Sequence, residues 1–143
     1  MSNSSTVCVD GNIVVRLVLF ADDKVIQSLW KNWESDEVQF VAPSLLHYEV
    51  LNSLYQYQKH GLISSASLER TLDAALSLPV DLVDDDHIHR RAITLAAEYK
   101  LAAAYDAHYL ALAEWMDIEF WTADMRLVKA VKPFKLDWVK GVK

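Results

Sequence analysis

The sequence predicts an α/β chain in three layers, α/β/α, around a central, mostly parallel sheet of about four to five strands. Three observations lead there. Short β-rich runs alternate with segments of helical period along the whole chain, which is the pattern of βαβ units. Glycine and proline number only three each, so long linkers and disorder are not expected. The length of 143 residues, 52% of them hydrophobic, fits one domain, residues 1–143, with a sizeable core.

Each element has its own signal. Thr6–Asp10 is a compact β-rich run that ends in an acid and then Gly11. Asn12–Leu19 reads as a short helix. Asp22 or Asp23 is placed to cap a helix over Lys24–Asn32, with Val25, Ile26, Leu29 and Trp33 on one side. Val38–Val41 is a second strand. Pro43 suits the first turn of a helix running to about His60, where Gly61 stops it. Ser64 or Ser65 caps the next helix, Ala66–Ser77, along which Leu68, Leu72 and Leu76 recur at helical spacing. Pro79 then breaks the chain before a third strand, Val80–Val83.

The run Asp84–Asp86 suits a helix N-terminus, where the macrodipole is positive. That helix, His87–Lys100, carries the stripe Ile88, Ala92, Leu95 and Tyr99. Asp106 opens another helix to about Met116. Glu119–Thr122 is a fourth strand, Asp124–Val131 a last short helix, and Phe134–Trp138 a candidate fifth strand.

Composition excludes several classes. No apolar run approaches the roughly 18 residues of a membrane span. The opening MSNSST lacks the basic start and apolar stretch of a secretory leader. The single Cys8 lies in an apolar run, has no internal disulfide partner, and fits a buried thiol in a reducing, cytoplasmic compartment. The five histidines show no zinc spacing. A net charge of −6 disfavours sequence-independent nucleic-acid binding. The charge is uneven, however. Residues 126–143 hold Arg126, Lys129, Lys132, Lys135, Lys140 and Lys143 against one acid, Asp137. This edge is either ordinary solvated surface or a track for a phosphate backbone.

Four acids carry the chemistry: Asp10 in VCVDGN, Glu49 in LLHYEVLNSL, Asp106 in AAAYDAHYLALAE and Asp124 in FWTADMRL. Asp10 ends a buried strand run, and Asp124 lies just beyond Phe120–Thr122, so both fall at the carboxyl ends of parallel strands. Open α/β sheets bind ligands at that edge. Glu49 sits among Leu45, Leu46, Val50 and Leu54 on a helix, where a charge needs a partner. Each acid has a plainer reading: Asp106 and Asp124 as helix caps, Glu49 as a surface residue beside the core stripe.

Joint placement changes the weighing. Two carboxylates about 4 Å apart repel by roughly 4 kcal/mol at an effective dielectric near 20. Several of them must take up protons or hold a cation, and an oxygen-only set favours Mg²⁺ or Mn²⁺. Such an ion supplies an attacking water and offsets charge on a phosphoryl oxygen, which implies phosphodiester hydrolysis. Asn12 and Thr122 are placed to orient carboxylates or a water. Arg16 and Arg126 are candidates to grip phosphate.

These segments together, VCVDGNIVVRLV, PSLLHYEVLNSL, YDAHYLALAE and FWTADMRLVKAV, resemble the PIN domain, especially the VapC-type toxins of bacterial toxin–antitoxin pairs. The resemblance spans about Thr6 to Trp138. It implies a metal-dependent ribonuclease whose four acids fall on Asp10, Glu49, Asp106 and Asp124. Thr122 matches the small polar residue two before the last acid, and Asn12 a position where the family often has Ser, Thr or Asn. It further implies an RNA substrate, a homodimer, and an antitoxin whose C-terminal segment covers the active site. Trp30/Trp33 and Leu51/Leu54/Tyr55 are then candidate docking faces. Two other readings remain from the residues: a catalytically silent PIN-like module that binds RNA or protein, and a phosphatase or phospho-acceptor domain. The latter lacks an assignable Lys or Ser/Thr site.

Overall fold

A computed structural model describes residues 5–143; residues 1–4 of the opening MSNSST lie outside them. Five strands form one sheet: β1 (Thr6–Val9), β2 (Gln39–Pro43), β3 (Val80–Val83), β4 (Glu119–Thr122) and β5 (Val139–Gly141). Their order is β3-β2-β1-β4-β5, and every neighbouring pair is parallel. Among the described residues seven α-helices connect them: α1 (Gly11–Leu19), α2 (Lys24–Ser35), α3 (Leu45–Lys59), α4 (Ser65–Ser77), α5 (Asp86–Glu98), α6 (Tyr105–Met116) and α7 (Met125–Val131). The three-layer α/β/α expectation holds.

The sheet is built outward from β1. The chain adds β2 and β3 on one side, then crosses back to add β4 and β5 on the other. The reversal falls between β1 and β4, where Cys8 pairs with Phe120 and Val9 with Trp121. Parallel sheets of this kind open a crevice at such a reversal, outside the carboxyl ends of the strands.

The alternation of helix and strand follows from which faces must be buried. β1 is buried on both faces (Val7, Cys8, Val9), so it reads as a continuous apolar run. α6 crosses β1, β2 and β4, and α5 packs on α6. α6 is accordingly apolar almost all round, with Ala107 and the whole run Tyr109–Ala113 buried. α1, α3 and α4 form a second group, α1 against β4 and α3 against β2. An aromatic cluster seats α2: Trp30 stacks on Phe40 with centroids 4.2 Å apart, and Trp33 meets Phe40 and Trp121 edge-on.

Caps set the helix boundaries. Asp23 accepts from the Ile26 amide, Ser64 from the Ser67 amide, and Asp85 from the His87 amide. Several boundaries shift from the sequence reading: α2 runs on to Ser35 rather than Asn32, β2 is Gln39–Pro43 rather than Val38–Val41, and α5 ends at Glu98 rather than Lys100; two further differences move residues between elements. Pro43 is the last residue of β2, and α3 begins at Leu45. Proline needs no N–H partner at a strand end, so the same residue serves either place. The fifth strand is not Phe134–Trp138 but Val139–Gly141. Lys132–Phe134 instead forms a turn of 3₁₀ helix closed by Lys135 at φ 57°, which brings the chain round to the sheet edge only at Val139.

The docking faces also need correction. Trp30, Trp33 and Leu54 are buried in the core, so their apolar character is used up inside the fold. Leu51 and Tyr55 are exposed and, with Leu68 and Leu72, line a groove between α3 and α4. Cys8 is fully buried, with its thiol pushed well above the usual range by burial, as an inert core residue should be.

Candidate active site

The carboxyl ends of β1 and β4 are wired together by three short polar residues, Asp10, Asn12 and Thr122. The Thr122 hydroxyl donates to Asp10 Oδ2 at 2.8 Å. It accepts from Asn12 Nδ2 at 3.2 Å and from the Asp124 amide at 2.9 Å. A hydroxyl has one hydrogen and two lone pairs, so this one is saturated and its proton is committed to Asp10. Asn12 Oδ1 in turn accepts from the Ala123 amide at 2.9 Å. The first residues after β1 are thereby tied to the first residues after β4. Thr122 is fully buried, and among the described residues no buried side-chain polar atom lacks a partner.

Asp10 follows β1 as the N-cap of α1, its amide bonded to the Trp121 carbonyl, and is only 5% exposed. Burial, opposed by the Thr122 hydrogen bond and reinforced by the charges of Glu49 and Asp106, pushes its carboxyl up to about 7. Glu49 projects from α3 toward the start of α1, close enough that a methyl on Gly11 would meet its Cβ at 3.5 Å. The Tyr109 hydroxyl on α6 donates to Glu49 Oε1. The Glu49 carboxyl is nonetheless raised, by burial first and then by Asp106. Tyr109 itself is pushed far up by burial and by Asp10 and Glu49, so it stays a phenol and a donor. Asp106 stands in the first turn of α6, half-buried and raised by burial and by Asp124. Asp124 caps α7, its Oδ1 accepting from the Arg126 and Leu127 amides at 3.0 and 3.3 Å.

The four acids thus lie in one electrostatic neighbourhood: Asp10 with Glu49 and Asp106, Glu49 with Asp106, and Asp106 with Asp124. They are not drawn into a closed cage; among the described residues no three acids, histidines or cysteines form a group that could hold an ion as they stand. Local partners account for the spread. Asp10 turns to Thr122, Glu49 to Tyr109, and Asp124 to its own helix amides, each relieving mutual repulsion. The donor set, carboxylates with hydroxyl and amide oxygens beside them, suits a hard divalent cation rather than zinc.

The basic candidates have separate surroundings. Arg16 Nε pairs with Asp23 at 2.8 Å, which holds Asp23 below the usual carboxylate range, and its Nη2 bonds the Lys143 carbonyl. Arg126 is exposed, one residue into α7. Sequence reasoning missed two groups. Tyr109 lies in a run of apolar residues that gives no sign of a polar role, and the bond from its tip to Glu49 spans 60 residues. The chain Asp84–His89–His108 joins α5 to α6 and ends 2.7 Å from the Ala104 carbonyl. Only the contact between α5 and α6 brings it together.

The sequence matches the PIN domain family over residues 7–133. Among solved structures, one from a toxin–antitoxin complex of Klebsiella pneumoniae shares 22% identity, covers 93% of this chain and 94% of its own, and superposes with a TM-score of 0.64. A protein of Pyrobaculum aerophilum shares 22% identity over 89% of this chain and 86% of its own, with a TM-score of 0.65. At that identity these two likenesses speak for the fold. A search of curated proteins gave no match. The family match covers most of the chain, with Asp10, Glu49, Asp106 and Asp124 all inside it, and the chain therefore belongs to the PIN domain family.

Proposed function

We propose that this protein is a Mg²⁺- or Mn²⁺-dependent endoribonuclease, the VapC-type toxin of a toxin–antitoxin pair. The observation that carries the reading is the gathering of Asp10, Glu49 and Asp106 at the carboxyl edge of the sheet, each raised above its ordinary value. A protein of marginal stability does not keep mutually repelling, half-buried acids without a use for them. Asp10, Glu49, Asp106 and Asp124 would hold the cation. When bound, it supplies water activation and offsets charge on the phosphoryl oxygens.

The chain's own residues do the remaining work. Thr122 fixes the Asp10 carboxylate, with Asn12 holding the Thr122 hydroxyl from the other side. Tyr109 orients Glu49. Arg126, at the head of the basic C-terminal edge, is available to draw the RNA backbone toward the crevice. The Klebsiella structure is of a toxin–antitoxin complex, which supports an antitoxin partner here; the α3–α4 groove at Leu51 and Tyr55 is the face offered to it. A homodimer and a cytoplasmic location belong to the same reading. Among the described residues no helix is long and apolar enough to cross a membrane.

Purified protein should cleave single-stranded RNA with Mg²⁺ and stop with EDTA, and Asp10→Asn should abolish cleavage. Unchanged cleavage by Asp10→Asn would refute the assignment. The open arrangement of the acids favours one competing reading, a silent PIN-like module. RNA or partner binding with no cleavage under any divalent ion would establish that module instead.

A further inference from the structure

A second concavity of about 250 Å³ adjoins the acids, between the end of β3 and the first turns of α3 and α6. Tyr48, next to Glu49, and Tyr105, next to Asp106, both line it, and both are largely exposed, at 76% and 64%. Exposed tyrosines at such positions contribute little to the core, whereas the flat faces are free to stack. His108 lines the same pocket two residues after Asp106 on α6, so pocket and acids share a wall.

The polar rim is a relay of close contacts from Asp84 to the backbone at the start of α6. Asp84 Oδ1 lies 2.8 Å from His89 Nε2, His89 Nδ1 lies 3.0 Å from His108 Nε2, and His108 Nδ1 lies 2.7 Å from the Ala104 carbonyl. The chain holds the Asp84 carboxylate at the pocket rim through Oδ1 and leaves Oδ2 free among the described residues. The volume falls just under the roughly 300–1,000 Å³ of drug-sized ligand sites, which suits a single ring system.

We propose that this pocket receives a base of the RNA strand beside the scissile phosphate, stacked between Tyr48 and Tyr105, with the Asp84 carboxylate selecting a base that bears an exocyclic amino group. The proposal rests on the reading of the acidic edge as an RNA-cleaving site. Single-stranded RNA is read by splaying bases onto aromatic side chains and bonding their edges. A carboxylate accepts from the amino group of cytosine, but meets only carbonyl oxygens and one ring N–H on uracil. The site would therefore prefer cytidine to uridine at that position, between rings of equal size.

The test uses the full chain and six-residue oligocytidine and oligouridine. Binding is measured by fluorescence anisotropy in calcium buffer, and cleavage of the same oligonucleotides is followed in magnesium. Oligocytidine should bind roughly tenfold more tightly than oligouridine. Tyr48→Ala and Tyr105→Ala should each weaken both by roughly tenfold. Asp84→Ala should remove the difference between the two while leaving oligouridine binding in place. All three side chains are exposed, so the variants should fold. Equal binding of both oligonucleotides, unchanged in the tyrosine variants, overturns the pocket, and cleavage by the wild type would then leave the nuclease reading standing. Discriminating binding without cleavage in magnesium does the reverse.

Discussion

Two regions of the same sheet follow opposite rules. Where α2 meets the sheet, Trp30, Trp33, Phe40 and Trp121 interlock as stacked and edge-on rings, and every local preference agrees with the fold. At the carboxyl edge, a few residues along the same strands, Asp10, Glu49 and Asp106 are held where burial and one another's charges raise each of them. The first region stabilises. The second opposes folding, and the fold carries it on the strength of the first. That division is the usual mark of a site kept for chemistry rather than stability.

The contrast can be broken from either side. Trp30→Ala removes a ring stacked 4.2 Å from Phe40 and should cost about 3–5 kcal/mol in urea denaturation, while the folded fraction keeps its activity per molecule. Asp10→Asn should do the opposite. In metal-free buffer near neutral pH it removes a buried, disfavoured charge, keeps an oxygen for the Thr122 hydroxyl, and should gain on the order of 1–3 kcal/mol while abolishing cleavage.

The same group sets a pH dependence. Asp10 titrates near 3.8 unfolded and at about 7 folded, so between these values the folded chain binds the extra proton. Metal-free stability should therefore fall as pH rises through that window and level off above it. Denaturation midpoints between pH 5 and 8 check this, and Asp10→Asn should flatten the slope. Glu49 and Asp106, both raised, act in the same direction.

A smaller effect should come from Thr122→Val. It leaves the Asp10 oxygen, the Asn12 amide and the Asp124 amide without their shared partner and should cost about 1–2 kcal/mol, with Thr122→Ser restoring most of it. The least should come from Arg16→Ala. Its pair with Asp23 is partly buried, the two side chains 23% and 18% exposed, and its loss should be small but measurable in the same denaturation assay.

Much of this was legible in the sequence, for identifiable reasons. β1 is buried on both faces and reads as an apolar run, and β4 carries the apolar pair Phe120–Trp121, so the acids that follow them stand out locally. Asn12 and Thr122 sit two residues from Asp10 and Asp124, so their roles also lie within reach of local reasoning. What depends on distant segments did not show. Tyr109 carries its hydroxyl to Glu49 from a helix that looks wholly apolar, and Trp30 and Trp33 read as a docking face until α2 is seen packed on β2. The fifth strand was misplaced because Phe134–Trp138 has strand-like residues, while the turn closed at Lys135 delays the return to the sheet. The open posture of the carboxylates was hidden as well, since each local partner is a geometric fact rather than a compositional one.

The central claim is that the acids of the β1–β4 crevice jointly hold a divalent cation. Calorimetric titration of the metal-free protein with Mn²⁺ at pH 7.5 tests it most directly. Saturable binding should be seen in the wild type and lost in both Asp10→Asn and Asp106→Asn, with each variant folded. Binding that survives both substitutions, or no binding by the wild type, would contradict it.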